Sequence, residues 1–219
     1  MTKHTTQTLS KPSDALSLYL VTDTAMCSQR GLIDTVCAAI EGRVTMVQLR
    51  DKHSSDEALY RIACQLKEAI AGRVPLVLND RVHIAKKAKL DGVHLGQGDM
   101  SITKARSLLG ADVWLGLSIN TLEELKVAQS NHLTQLDYFG VGPVFATQTK
   151  RNHATPIGIE GLAKLVAASQ LPTVAIGGID QSNAAQVYGS GCNGIAVVSA
   201  ICAAQNPQVA AKNLLGEQV

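Results

Sequence analysis

The sequence predicts an α/β chain folded as a single closed (β/α)8 TIM barrel. Three observations carry the prediction. Short apolar runs recur eight times along the 219 residues. Each is followed by a segment with helical character. The first run is not followed by the glycine-rich fingerprint that an open, doubly wound sheet would use to bind a dinucleotide. Apolar strands alternating with helices specify a parallel sheet covered by helices. Eight such units in a chain of this length fit a barrel.

The elements follow in order. "MTKHTTQTLSKPSD" has no apolar core, so it is no secretory signal and residues 1–14 read as a flexible tail. The first strand is "LSLYLVTD" (16–23). The second, "VTMVQLRD" (44–51), turns abruptly polar. Gln48, Arg50 and Lys52 alternate with Leu49 and Asp51, and a strand sends every second side chain to one face. "SSDEALYRIACQLKEAIAG" (54–72) reads as a helix opened by a Ser54–Glu57 capping box and stopped at Gly72. Its Leu59, Ile62, Ala63, Leu66 and Ile70 form one apolar stripe.

The third strand, "PLVLND" (75–80), leads into "VHIAKKAKL"; the fourth, "GVHLGQ" (92–97), into "ITKARSLLG". The fifth, "WLGLSI" (114–119), precedes "TLEELKVAQ", with Thr121 and Glu124 as a capping box. The sixth, "DYFGVGPV" (137–144), runs into a Thr-rich loop, "GPVFATQTKRNHATP". The seventh, "PTVAIGG" (172–178), precedes "DQSNAAQVYGSG", with Asp180 as its N-cap. The eighth, "GIAVVSA" (194–200), ends with Ser199 at a helix start. No linker, low-complexity tract or charge block intervenes, so residues 15–219 form one catalytic domain.

Composition narrows the function. A net charge of +2 gives no nucleic-acid surface, and 3% aromatic residues leave few stacking platforms and an aliphatic core. The longest apolar stretch, "GIAVVSAICAA", is far short of the ~20 residues that span a bilayer. The five cysteines show no metal-type spacing and read as small buried residues of a reducing compartment. A soluble, cytoplasmic protein without membrane or nucleic-acid partners is expected. The helix faces specify no oligomeric state.

A barrel carries its active site at the C-terminal ends of its strands. Arg50 can grip two phosphate oxygens as a fork, Lys52 adds a mobile charge, and Gln48 an amide donor. The competing reading is a rim ion pair with Asp51 or a neighbour. Asp80 and Asp99 close adjacent strands ~5 Å apart and suit Mg2+, or else cap the helices that follow. Gly177 and Gly178 let backbone N–H groups approach an anion, or form a tight turn. Thr147, Thr149 and Lys150 lie on a loop that is either a lid or plain solvated chain. His94 reads as a satisfied structural residue, while His53 and His153 fall in loops that reach toward the mouth. No acid–base dyad or nucleophile stands out, and Ser118 in "GLSIN" lacks the second glycine of a nucleophile elbow. Two anion grips without a base suggest departure of a pyrophosphate group beside a second phosphorylated molecule.

"YLVTD", "VQLRDK", "LVLND", "GVHLGQGD", "GLSINT", "GVGPVFATQTK", "AIGGI" and "GIAVVSAI", in that order, resemble the thiamine phosphate synthase family, also called thiamin-phosphate pyrophosphorylases, from about Tyr19 to Ile201. Arg81 and Gly98 fall where relatives vary. The resemblance implies a Mg2+-requiring transferase. It would join 4-amino-5-hydroxymethyl-2-methylpyrimidine diphosphate to a (carboxy)thiazole phosphate, giving thiamine phosphate and pyrophosphate. It further implies that Gln48, Leu49, Arg50, Asp51 and Lys52, with Asn79, Ser118 and Lys150, hold the pyrimidine diphosphate. Arg50, Lys52, Ser118 and Lys150 would carry catalysis, and Asp80 and Asp99 the Mg2+. Thr147, Gln148, Thr149, Gly178, Val198 and Ser199 would hold the thiazole phosphate. A thiazole tautomerase, a phosphosugar isomerase and a non-catalytic sensor of thiamine precursors are the competing barrels.

Overall fold

The computed structural model describes residues 12–27, 30–147 and 155–216. Eight parallel strands close into a barrel in chain order. They are β1 (Leu18–Val21), β2 (Met46–Leu49), β3 (Leu76–Asn79), β4 (Gly92–Leu95), β5 (Trp114–Ile119), β6 (Tyr138–Val141), β7 (Thr173–Ile176) and β8 (Gly194–Val197). Each of the eight apolar runs contains one strand, as expected. The helices are α1 (Pro12–Ala15), α2 (Leu32–Glu41), α3 (Asp56–Ile70), α4 (Val82–Ala88), α5 (Ile102–Leu109), α6 (Leu122–His132), α7 (Gly158–Ala168), α8 (Ala184–Tyr188), α9 (Ser199–Cys202) and α10 (Pro207–Leu214). Residues 12–14, placed in the tail by the sequence, belong to α1. Among the described residues, no helix is long and apolar enough to cross a membrane.

Alternation along each strand splits the core in two. Outward residues such as Leu18, Leu20, Leu49, Leu78, Val93 and Leu95 pack under the helices with Leu59, Ala63 and Leu66 of α3. That layer is mainly aliphatic, as the composition implied, with Phe139 its one fully buried aromatic among the described residues. The barrel interior is not: Tyr19, Trp114 and Tyr138 lie there with Val21, Met46, Val77 and Val174. Small residues make the room. A Cβ at Gly116 would stand 2.2 Å from the Tyr138 ring, and one at Gly140 2.9 Å from the His94 ring.

At the opposite end from the site, one device recurs on alternate strands. The residue just before an even-numbered strand accepts a hydrogen bond from the start of the odd-numbered strand preceding it. Thr45 Oγ1 takes the Leu18 N–H (2.9 Å), Asp91 the Leu76 N–H (2.7 Å), Asp137 the Leu115 N–H (2.7 Å) and Asn193 Oδ1 the Thr173 N–H (2.9 Å). The same four residues donate their own N–H groups to the carbonyls of Leu18, Leu76, Leu115 and Thr173, so each pair of strands is tied twice at its start.

The helix caps follow the sequence in part. Thr121 and Glu124 form the full capping box of α6. For α3 the cap is Ser55, whose hydroxyl accepts the Ala58 N–H, and not Ser54. Ser54 donates its hydroxyl to Asp51 instead, at 2.7 Å. α3 leaves its helical conformation at Ala71 (φ 53), one residue before Gly72 (φ 73). α8 begins after Asn183 rather than Asp180; the Asp180 carboxylate is taken by Ser182, two residues along. In both corrected cases a nearer polar partner recruits the side chain first.

Candidate active site

A cavity of about 180 Å3 opens at the C-terminal ends of the strands. The register places Gln48, Asn79, His94 and Ser118 inward on β2, β3, β4 and β5. Beyond the strand ends, Arg50, Lys52, Asp80, Asp99 and Thr147 line the mouth. Across the ring, Gly177, Gly178, Val198 and Ser199 line it from the ends of β7 and β8.

Thr22, fully buried after β1, fixes the start of the Arg50 segment by accepting the Arg50 N–H at 3.1 Å. Among the described residues the Arg50 guanidinium has no ion-pair partner, so the rim-pair reading fails for it. Lys52 does pair, 3.3 Å from Asp80, but not with Asp51. Asp51 folds its own loop instead. Burial pushes its carboxyl up, yet hydrogen bonds from the Ser54 N–H, the Ser54 hydroxyl and the His53 N–H, with Arg81 nearby, outweigh that and hold it below its ordinary value. Leu49 points into the outer aliphatic layer. Neither Leu49 nor Asp51 lines the cavity; they place Gln48, Arg50 and Lys52, which do.

The two acids do not cap helices. The residue before α4 is Arg81 and the one before α5 is Ser101, neither with a side-chain cap. Asp80 sits in the left-handed region (φ 63), in a tight turn where the Arg81 N–H reaches the Asn79 carbonyl at 2.8 Å. Such strain is held only where the surroundings enforce it, and it concentrates at functional sites. Asp99 is fixed by the Gly96 N–H, which donates to Oδ2 at 2.6 Å. Burial first, and then the neighbouring Asp99, raise the Asp80 carboxyl above its ordinary value against the pull of Lys52. Two close carboxylates in a half-buried mouth are the donor set a small divalent cation accepts. Among the described residues no third acid, His or Cys joins them, so an ion held by this pair would take its other ligands from water or substrate oxygens.

Gly177 (φ 106) and Gly178 (φ 64) both occupy the left-handed region. A Cβ on Gly177 would meet Pro143 at 2.6 Å, and one on Gly178 the Ala146 carbonyl oxygen at 2.6 Å. The turn reading therefore holds, and the turn brings its backbone to the cavity wall. Val198 and Ser199 lead into α9, whose first N–H groups have no intrahelical acceptor.

Gln148, Thr149, Lys150 and His153 lie outside the described residues. His53 is exposed and does not line the cavity. His94 is buried, its two ring nitrogens 3.1 Å from Tyr138 Oη and 2.9 Å from Ser118 Oγ. All five cysteines are free; Cys27, Cys192 and Cys202 are buried. Sequence reasoning missed Tyr19, Asn120 and Pro143 as parts of the wall, and Tyr138 behind it, whose hydroxyl meets Tyr19 and His94. For the tyrosines the available signal was phase: Tyr138 faces the interior on a strand that also carries Gly140 inward.

A model of the thiamine monophosphate synthase family matches residues 18–201. The chain belongs to this family. A thiamine-phosphate synthase of Psychrobacter sp. (strain PRwf-1) is 65% identical over 218 residues, covering 100% of each chain. That of Albidiferax ferrireducens is 49% identical, covering 91% of this chain and 90% of its own. Among solved structures, thiamine phosphate pyrophosphorylase from Pyrococcus furiosus superposes with a TM-score of 0.84 at 34% identity, covering 93% of this chain and 96% of that one. A 3-hexulose-6-phosphate synthase at 16% identity (TM-score 0.68) shares the fold alone. As a member of the family, the protein is a transferase of thiamine phosphate synthesis that releases pyrophosphate.

Proposed function

We propose that the protein joins 4-amino-5-hydroxymethyl-2-methylpyrimidine diphosphate to a thiazole phosphate by a dissociative substitution. The CH2–O bond of the diphosphate ester breaks, pyrophosphate leaves with the electron pair, and the thiazole nitrogen fills the vacancy on the carbon. The observation that carries the reading is the Arg50 guanidinium, free of any acid among the described residues, beside the Asp80–Asp99 pair on one wall of the cavity.

Arg50 and Lys52 stabilise the negative charge growing on the departing oxygens, and Lys150 joins them by the family's pattern. A well-placed donor of this kind contributes ~3 kcal/mol, or about two powers of ten in rate. Gln48, Asn79 and Ser118 hold the same substrate. Asp80 and Asp99 are the residues that would hold Mg2+. When bound, that ion would supply positive charge against the leaving group. The turn of Gly178 and the backbone of Val198 and Ser199, with Thr147 and the family's positions Gln148 and Thr149, hold the thiazole phosphate. The thiazole nitrogen already has a lone pair, so it needs positioning and no general base. This agrees with a wall that offers cations and backbone N–H groups.

Mixing both substrates with Mg2+ and measuring released pyrophosphate tests the reading. Release that depends on both organic substrates supports it. No release, or release without the thiazole phosphate, contradicts it and favours a tautomerase or a sensor.

A further inference from the structure

The floor of the cavity holds a row of polar side chains, three of which, Tyr19, Tyr138 and His94, have no task in the reaction above. Gln48 Nε2 donates to Tyr19 Oη at 2.7 Å. Tyr19 Oη lies 3.1 Å from Tyr138 Oη, and Tyr138 Oη lies 3.1 Å from His94 Nδ1. His94 Nε2 lies 2.9 Å from Ser118 Oγ. Five strands contribute one side chain each. Gln48, Tyr19, Tyr138 and His94 are all at most 9% exposed, so a polar hydrogen without a partner in the row is costly.

That requirement gives the row a direction. An amide nitrogen only donates, so Tyr19 Oη accepts from Gln48. The hydrogen of Tyr19 then goes to Tyr138 Oη, its other hydrogen-bond partner. Tyr138 passes its own hydrogen to His94 Nδ1. A neutral imidazole carries one N–H, which is therefore on Nε2 and points at Ser118 Oγ. Ser118 accepts, and its own hydrogen is left for the cavity. With the opposite tautomer, His94 would donate to Tyr138, Tyr138 to Tyr19, and the Tyr19 hydrogen would have no acceptor in the row. Burial raises both phenols far above their ordinary values, so both keep their hydrogens at neutral pH.

We propose that Tyr19, Tyr138 and His94 are positioning residues, holding Ser118 as a donor aimed at an acceptor atom of the diphosphate ester. The proposal rests on the assignment of Ser118 to that substrate under Proposed function. His94 acts only through Ser118, by way of the tautomer that the tyrosines impose.

Two measurements test it. The first is the 15N imidazole spectrum of the histidine-labelled, substrate-free enzyme at neutral pH, with the His94 signal assigned by its loss in His94→Gln. The expected result is a protonated Nε2 and a bare Nδ1; a protonated Nδ1 overturns the proposal whatever the activity. The second is a kinetic cycle. Tyr138→Phe and His94→Leu should each lower kcat about tenfold, with KM changed less than about threefold. His94→Gln, which can still donate to Ser118, should recover most of the loss. In a Ser118→Ala background, Tyr138→Phe should cost less than about twofold more, because coupled residues are not additive. Losses that multiply instead mark Tyr138 as a mere packing residue and overturn the positioning role. If Ser118→Ala alone is silent while Nε2 carries the proton, the assignment of Ser118 to the diphosphate ester fails, and the positioning role with it, although the direction of the row stands.

Discussion

Arg50 reaches the mouth from the end of β2 with no acid against it among the described residues, whereas Lys52 already leans on Asp80 at 3.3 Å. Arg50 is therefore the cation most available to charge that appears during the reaction. Arg50→Ala should lower kcat by about 10²- to 10³-fold with a smaller change in KM, because its partner charge grows in the transition state. Steady-state kinetics with both substrates checks this, and an unaltered kcat removes Arg50 from the leaving-group site. Asp80→Asn is the cleaner test of the metal. Asn tolerates the left-handed backbone at this position (φ 63), so the turn is kept while the charge is lost. The Mg2+ concentration for half-maximal activity should rise about 10- to 100-fold. An unchanged titration takes Asp80 out of the metal site. Both residues were legible in the sequence because polar residues closing apolar runs mark strand ends. The cap reading could not be dismissed there, since an aspartate just before a helix fits it. The turn at Asn79–Arg81 and the Gly96 N–H on Asp99 remove the cap, and the ligand role is what the Asp80→Asn titration tests.

Between strands and helices, the deciding effects are single hydrogen bonds that local pattern leaves ambiguous. Ser54 and Ser55 both satisfy a cap pattern, and the Asp51 carboxylate breaks the tie by taking Ser54. Ser55→Ala should therefore destabilise the fold by about 1 kcal/mol in denaturant unfolding, the usual size of an N-cap. A null effect there would return the cap to Ser54. The strand-pairing residues allow a sharper test. Burial holds Asp91 above its ordinary value of 3.8, despite the Leu76 N–H and nearby Lys67. The folded state thus keeps this proton more tightly than the unfolded chain. Its contribution to stability is full below 3.8 and falls as pH rises through the raised folded value. Asn193 does the same task with an amide at β7. Asp91→Asn should accordingly flatten that slope and leave the protein at least as stable at neutral pH. Asp91→Ala, which strands the Leu76 N–H, should lose about 1–3 kcal/mol. Equal losses in the two variants would show that the charge, not the acceptor, matters.

Across the whole molecule, closure in chain order is what makes one site from distant segments. It sets β2, β3 and β4, with their cations and acids, across the ring from the backbone turns after β7 and β8. This layout was readable, because run spacing gives strand order and strand order gives the ring. The floor was not. Tyr19 and Tyr138 are 119 residues apart, and their contact depends on register around the barrel, which no local pattern encodes. Low aromatic content pointed to an aliphatic core, and the outer layer follows it except at Phe139, whereas the interior gathers Tyr19, Trp114 and Tyr138. The central claim is that the Arg50–Asp80–Asp99 wall grips a departing diphosphate. A crystal structure with the pyrimidine diphosphate ester and Mg2+ bound tests it most directly. The account predicts diphosphate oxygens on the Arg50 guanidinium and a cation shared by the two carboxylates; a diphosphate lodged against Gly178 and Ser199, away from both, would contradict it.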